Sequence, residues 1–188
     1  MQLSTLLLTL SAGLPSVVLA ADTGIPGYTI VPISWSIEVS PGKVKVVAQA
    51  KGLNPDFKLR PVPAGPPPAP PAMRLTRREV KFCNNFGKAS VAAIRDGVSY
   101  LRGVPGIPTN GPGPGACGRV SCSYNSAIYW CNDNNFAKSV TWDGIANSAY
   151  RITEVCPHTK RGSYPYPQVS GQNFELSKWN TLVKEEPC

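Results

Sequence analysis

Histidine is the scarcest reactive residue in this 188-residue chain, with His158 the only one. A site with two or three imidazole ligands is therefore excluded, and a Ser-His-Asp relay would have to pass through that single ring. The phosphate-binding loop, the dinucleotide fingerprint and the zincin helix are also missing. No Cys-x-x-Cys pair occurs, so the cysteines lack zinc-site spacing. Beyond the first twenty residues no apolar run approaches the ~20 residues of a membrane span, and no lipidation signal is present.

The first twenty residues carry Leu6-Leu7-Leu8-Thr9-Leu10 and Val17-Val18-Leu19, with the small residues Val18 and Ala20 at signal-peptidase spacing. Ser11, Gly13, Pro15 and Ser16 break the apolar run, so residues 1–20 read as a secretory signal ending at Ala20 rather than as an anchor. The expected product is extracellular. In an oxidising compartment the six cysteines, Cys83, Cys117, Cys122, Cys131, Cys156 and Cys188, are even in number and read as three disulfides. Their pairing is open from sequence. Cys156–Cys188 is the expected single bridge, because both cysteines close the same C-terminal loop.

Seven prolines between Pro61 and Pro71 favour extended polyproline II and mark a linker over residues 61–78, which ends in the dibasic pair Arg77-Arg78, a candidate processing site. Ahead of it, within residues 21–60, Tyr28 to Val39 suits a strand that Pro32 confines to an edge or splits in two. Ser40-Pro41-Gly42-Lys43 supplies a turn and Val44 to Val47 a second strand. A lone hairpin is marginal in water, so this segment is expected to dock on the core, to serve as a pro-segment or to be partly disordered. Charge changes at the same boundary. Residues 22–78 hold eight Lys and Arg against three acidic residues, and residues 79–188 hold eleven against eight. The nearly balanced C-terminal part gives little electrostatic footing for nucleic acid, and no nucleic-acid partner is expected.

Residues 79–188 read as a cysteine-rich core. Val91, Ile94, Val98 and Leu101 follow helical spacing in a helix expected from Asn85 to Leu101. Gly97 weakens that helix unless another backbone packs closely on it. The stretch from Gly103 to Gly115, with four prolines, is expected to be an ordered irregular loop. Arg119 to Tyr124 and Ala127 to Cys131 suit a hairpin around Asn125-Ser126. Thr141 caps a second helix that Pro157 ends, and Gln172 to Leu176 and Trp179 to Val183 form a last strand pair. The order helix, hairpin, helix, hairpin predicts an α+β fold, a disulfide-stapled sandwich of two helices on a small antiparallel sheet.

The block running from Gly113 through Cys117-Gly118-Arg119-Val120-Ser121-Cys122 and Tyr129-Trp130-Cys131-Asn132-Asp133 is followed by Ile145-Ala146, Gly171-Gln172 and Trp179-Asn180. Together these residues resemble a family of small secreted cysteine-rich proteins of filamentous fungi, akin to the necrosis-inducing-factor and killer-toxin-like effectors. The resemblance covers about Cys83 to Cys188. It implies a disulfide-stapled α/β sandwich, release from the cell and a role toward a host or competitor, with no shared catalytic site.

Candidate chemistry is sparse. Asn132-Asp133-Asn134-Asn135 offers oxygen ligands for a hard cation, but short side chains in such a run more often build a turn. His158 beside Pro157 reads as a solvent-facing loop residue. Tyr129 and Trp130, with Tyr124, form a candidate aromatic strip, of which at least half is expected to face the core. Tyr164 and Tyr166, held out by alternating prolines, are the stronger contact candidates. Arg95, Arg102 and Arg119 read as scattered surface cations. The expectation is a monomeric effector or toxin-like protein without catalytic residues, metal or cofactor, binding a host or competitor protein or glycan. A hydrolase inhibitor acting through the Gly103 to Gly115 loop is the alternative, and a small ribonuclease using His158 with Glu154 or Glu175 a weaker one.

Overall fold

The computed structural model describes residues 26–40, 43–49, 80–158 and 167–188. The chain enters through β1 (Thr29–Ile30), β2 (Ile33–Ser40) and β3 (Lys43–Gln49), and resumes with β4 (Val80–Cys83), β5 (Ala89–Ser90) and helix α1 (Val91–Gly103). It continues through β6 (Ile107–Asn110), β7 (Ala116–Ser123), β8 (Ser126–Asn132), β9 (Lys138–Ser139) and helix α2 (Trp142–Val155). It ends in β10 (Pro157–His158), β11 (Gln168–Val169), β12 (Gly171–Glu175) and β13 (Trp179–Glu185).

These strands form a six-stranded sheet in the order β1-β7-β8-β13-β12-β4, a four-stranded sheet β3-β2-β6-β9 and a three-stranded sheet β10-β11-β5. The protein is thus mostly β with three sheets, which corrects the expectation of two helices on one small sheet. Two physical causes hid this. Strands of two residues, such as β1, β5, β9, β10 and β11, carry no periodic signal. The proline-rich stretch read as a loop contains β6, which pairs with both β2 and β9.

Both helices start where their caps dictate. Ser90 Oγ accepts from Ala93 N at 3.4 Å, so α1 begins at Val91, six residues later than the periodicity suggested, and residues 85–90 are used for a turn and β5. Thr141 Oγ1 accepts from Gly144 N at 3.1 Å, and α2 runs from Trp142 to the residue before Cys156. Gly97 brings α1 close to the large sheet: a Cβ there would lie 2.6 Å from Ser121 Oγ and 3.0 Å from Ile128 Cδ1. Between the helices Arg95 pairs with Glu154 at 2.7 Å, and Arg102 donates to Asn147 at 2.9 Å.

The main core lies between the helices and one face of the six-stranded sheet, with Ile94, Leu101, Ile128, Trp130, Ile145, Ile152 and Val183 all buried. Every residue of β8 is buried, so this strand is covered on both faces. The β7–β8 hairpin turns at Tyr124 and Asn125, one residue earlier than expected, and both take positive φ, +48° and +53°. That is the backbone twist a two-residue hairpin loop requires.

The disulfides are Cys83–Cys156, Cys117–Cys131 and Cys122–Cys188, so the expected Cys156–Cys188 bridge is not formed. Register decides the pairing. Cys83 stands opposite Gly171, where the missing Cβ would meet Cys156 Sγ at 3.1 Å, so the end of α2 reaches β4 across that glycine. Cys117 and Cys131 face each other across β7 and β8, which leaves Cys188 for Cys122. Three disulfides are consistent with an extracellular protein. Among the described residues no helix is long and apolar enough to cross a membrane.

Candidate functional site: the sheet face away from the helices

Strand alternation assigns the opposite face of the large sheet. On β8, Ile128 and Trp130 point to the helices, which leaves Ala127, Tyr129 and Cys131 on the far side, where they cluster with Cys117 and Leu182. Cross-strand register then adds Asn180 beside Cys131, Phe174 beside Asn180, Gln172 beside Leu182 and Phe82 beside Gln172. Partly buried Tyr28, Ile30 and Phe86 pack on this face.

A chain of polar side chains crosses it. Gln172 Nε2 donates to Tyr28 Oη at 2.8 Å and to Asn180 Oδ1 at 2.9 Å. Asn180 Nδ2 donates to Asp133 Oδ2 at 2.7 Å, and Gly115 N donates to Asp133 Oδ1 at 3.3 Å. Gln172 and Asn180 are buried, so these bonds satisfy amides that would otherwise be costly to desolvate. Burial raises the pKa of Tyr28, and the nearby Asp133 charge adds to the rise against the lowering effect of the Gln172 hydrogen bond. Toward the β4 edge of the sheet Phe82 and Phe174, register neighbours of Gln172 and Asn180, meet edge to face at 5.8 Å. Phe82 is 51% exposed.

A second cluster holds the C-terminus. Tyr129 Oη donates to both carboxylate oxygens of Glu186 at 2.6 Å. Lys184 Nζ lies 3.2 Å and Arg119 Nη1 3.8 Å from the same carboxylate, and Arg119 also donates to the Pro187 carbonyl at 3.3 Å. Burial first, then the Glu186 contact, pushes the Tyr129 phenol far above the usual tyrosine range. With Cys122–Cys188 these contacts clamp the last residues over the sheet.

Neither ring of the expected aromatic strip on β8 is available at the surface: Trp130 is fully buried against the helices and Tyr129 lies beneath Glu186. Tyr124 is the exposed member, at the hairpin tip. Tyr164, Tyr166, Ala20, Arg77 and Arg78 lie outside the described residues. Asn132 Oδ1 accepts from Asn134 N at 3.0 Å, the side-chain turn expected of that run, and Asp133 is drawn into the polar row instead. Among the described residues no group of three His, Cys, Asp or Glu is placed to hold a metal ion. His158 sits in β10 paired with Gln168, with its Nε2 buried, rather than on an open loop. Arg95 and Arg102 lie 5.7 and 5.9 Å over the Tyr150 ring. All three arginines read as surface cations are therefore tied to the protein itself.

Gln172, Asn180 and Tyr28 were not legible as a unit, because they come from three distant segments and only the register brings them together. The signal that existed was an amide at a strand position where alternation calls for an apolar residue. No family model, curated protein or solved structure matches the chain.

Proposed function

We propose that the protein is a secreted effector or toxin-like protein, as its resemblance to the fungal family implies, and that it acts by binding a host or competitor protein or glycan. Its contact face is the exposed Phe82 ring with Phe174 beside it at the β4 side of the large sheet, in register with buried Gln172 and Asn180. The observation that supports this reading is the juxtaposition itself: Phe82 stands beside Gln172 and Phe174 beside Asn180 on a sheet stapled by three disulfides. A half-exposed Phe82 ring with the partly buried Phe174 ring packed beside it combines apolar contact area with low ordering cost, the composition of a pre-organised recognition patch. The inhibitor alternative rests on a rigid 103–115 loop, a stretch that contains β6 and is held by buried Asn110, which donates to Ala116 O and Trp130 O at 2.8 and 3.0 Å. For the ribonuclease reading, Glu154 is paired with Arg95 and Glu175 accepts from Asn173.

The test compares the fluorescently labelled protein with its Phe82→Ala/Phe174→Ala variant on plant, insect and microbial cells. We expect binding to one class to weaken by about tenfold or more, as for the loss of an aromatic anchor, with a cooperative melting transition and all three disulfides retained. Equal binding by both proteins to every class would refute this contact face.

A further inference from the structure

Residues 26–49 form an arm that no disulfide joins to the rest: all six cysteines lie from Cys83 onward and pair among themselves. What holds the arm is a set of complementary seats. β1 lies parallel to β7, with Thr29 N donating to Gly115 O at 2.8 Å and Val31 N to Cys117 O at 2.7 Å. β2 lies antiparallel to β6, with Ser34, Trp35 and Ser36 opposite Thr109, Pro108 and Ile107. Between these backbone pairings three side chains are read individually. Tyr28 Oη accepts from Gln172. Ile33 is buried over Gly118, where a Cβ would overlap its Cγ1 and Cδ1. Buried Trp35 meets buried Trp142 edge to face at 5.5 Å.

This is the mode in which an extended peptide adds to a sheet edge: main-chain hydrogen bonds give affinity, and seats for particular side chains give specificity. We propose that residues 80–188 carry a strand-acceptor groove, with Gly118 and Trp142 as its floor, and that residues 26–49 are its exchangeable ligand. The groove selects an extended segment with a tyrosine, a branched aliphatic residue five positions on and a tryptophan two further. In the intact chain the tether makes the arm's effective concentration about millimolar, which shuts out free peptide at micromolar levels. Scission of the connecting segment removes that advantage and turns the arm into an ordinary dissociable ligand.

The experiment uses the full chain with a specific protease site inserted after Gly65, secreted in oxidised form and then cut. A labelled peptide of residues 26–49 is added. The expected result is stoichiometric uptake by the cut protein with release of the resident arm, and uptake at least about tenfold weaker in uncut protein. A peptide carrying Trp35→Ala, which leaves residues 80–188 unaltered, is expected to bind about tenfold or more weakly. Gly118→Val in the core, which fills the seat of Ile33, is expected to abolish uptake while three disulfides are retained by mass. Uptake of a scrambled peptide at the same level would overturn the proposal. So would a resident arm that never exchanges, or a cut protein that unfolds when the arm leaves, since the arm would then be an integral part of the core.

Discussion

Replacing Gly97 by alanine sets two effects of opposite sign against each other. In an exposed helix interior the change gains about 1 kcal/mol, because alanine loses less backbone entropy on ordering. Gly97 is buried, however, and the added methyl would meet Ser121 Oγ at 2.6 Å, Ile128 Cδ1 at 3.0 Å and Ser121 Cβ at 3.3 Å. Ser121 Oγ can rotate away, but the Ile128 methyl and the Ser121 Cβ remain, and β7 and β8 behind them are fixed by Cys117–Cys131. Over-packing of this kind costs about 1–3 kcal/mol. Set against the propensity gain, the clash leaves an expected net loss of about 0–2 kcal/mol. Guanidinium unfolding with the disulfides intact measures it as a lower midpoint at constant slope. Ser121→Ala in the same molecule removes the nearest atom and is expected to recover at least about 0.5 kcal/mol as a coupling term. A midpoint raised by the full propensity gain would refute the close helix–sheet approach.

Three other outcomes follow from the same contacts. Replacing each cysteine pair by alanine is expected to cost about 4 kcal/mol for Cys83–Cys156 and Cys122–Cys188, which span 73 and 66 residues, and about 3 kcal/mol for Cys117–Cys131, which spans 14; the largest loss from the shortest loop, by denaturation midpoint, would contradict this order. Burial and Glu186 raise the Tyr129 pKa in the fold, so the stability tied to its neutral phenol is present below the ordinary value of about 10 and declines as rising pH ionises the unfolded chain first. Ultraviolet titration should therefore show Tyr129 ionising only with unfolding, and a normal Tyr129 titration in folded protein would count against the Glu186 clamp. Tyr124→Gly relieves a positive φ at an exposed hairpin position and is expected to stabilise by about 1 kcal/mol, whereas a lower melting temperature would mean that the ring packs on something.

Legibility in the sequence followed the length of the elements. α2 is found where Thr141 and the Trp142, Ile145, Ala149, Ile152 spacing place it, because an amphipathic helix with a cap writes its start and its buried face locally. The β7–β8 and β12–β13 hairpins were legible for the same reason, within a residue or so at the turn. Pro32 does divide the first strand, leaving β1 and β2 on either side. Of the polar row, Asp133 is legible as part of a polar turn, and Gln172 and Asn180 as strand residues and parts of a resemblance. Phe82, Phe174 and Tyr28 carried no sign that they share a surface, since nothing local relates residues so far apart.

By itself the sequence determined what single segments decide: one imidazole, an even set of six cysteines suited to an oxidising compartment, two helices and the principal hairpins. Tertiary structure alone decided which cysteines meet, because Cys83 reaches Cys156 only through the β4–β12 register and the space left at Gly171. It also decided that the 103–115 stretch joins a sheet and that Tyr28 meets Gln172 across 144 positions of sequence. Such contacts depend on long-range register, and the burial of β8 on both faces becomes legible only once the segments covering it are in place.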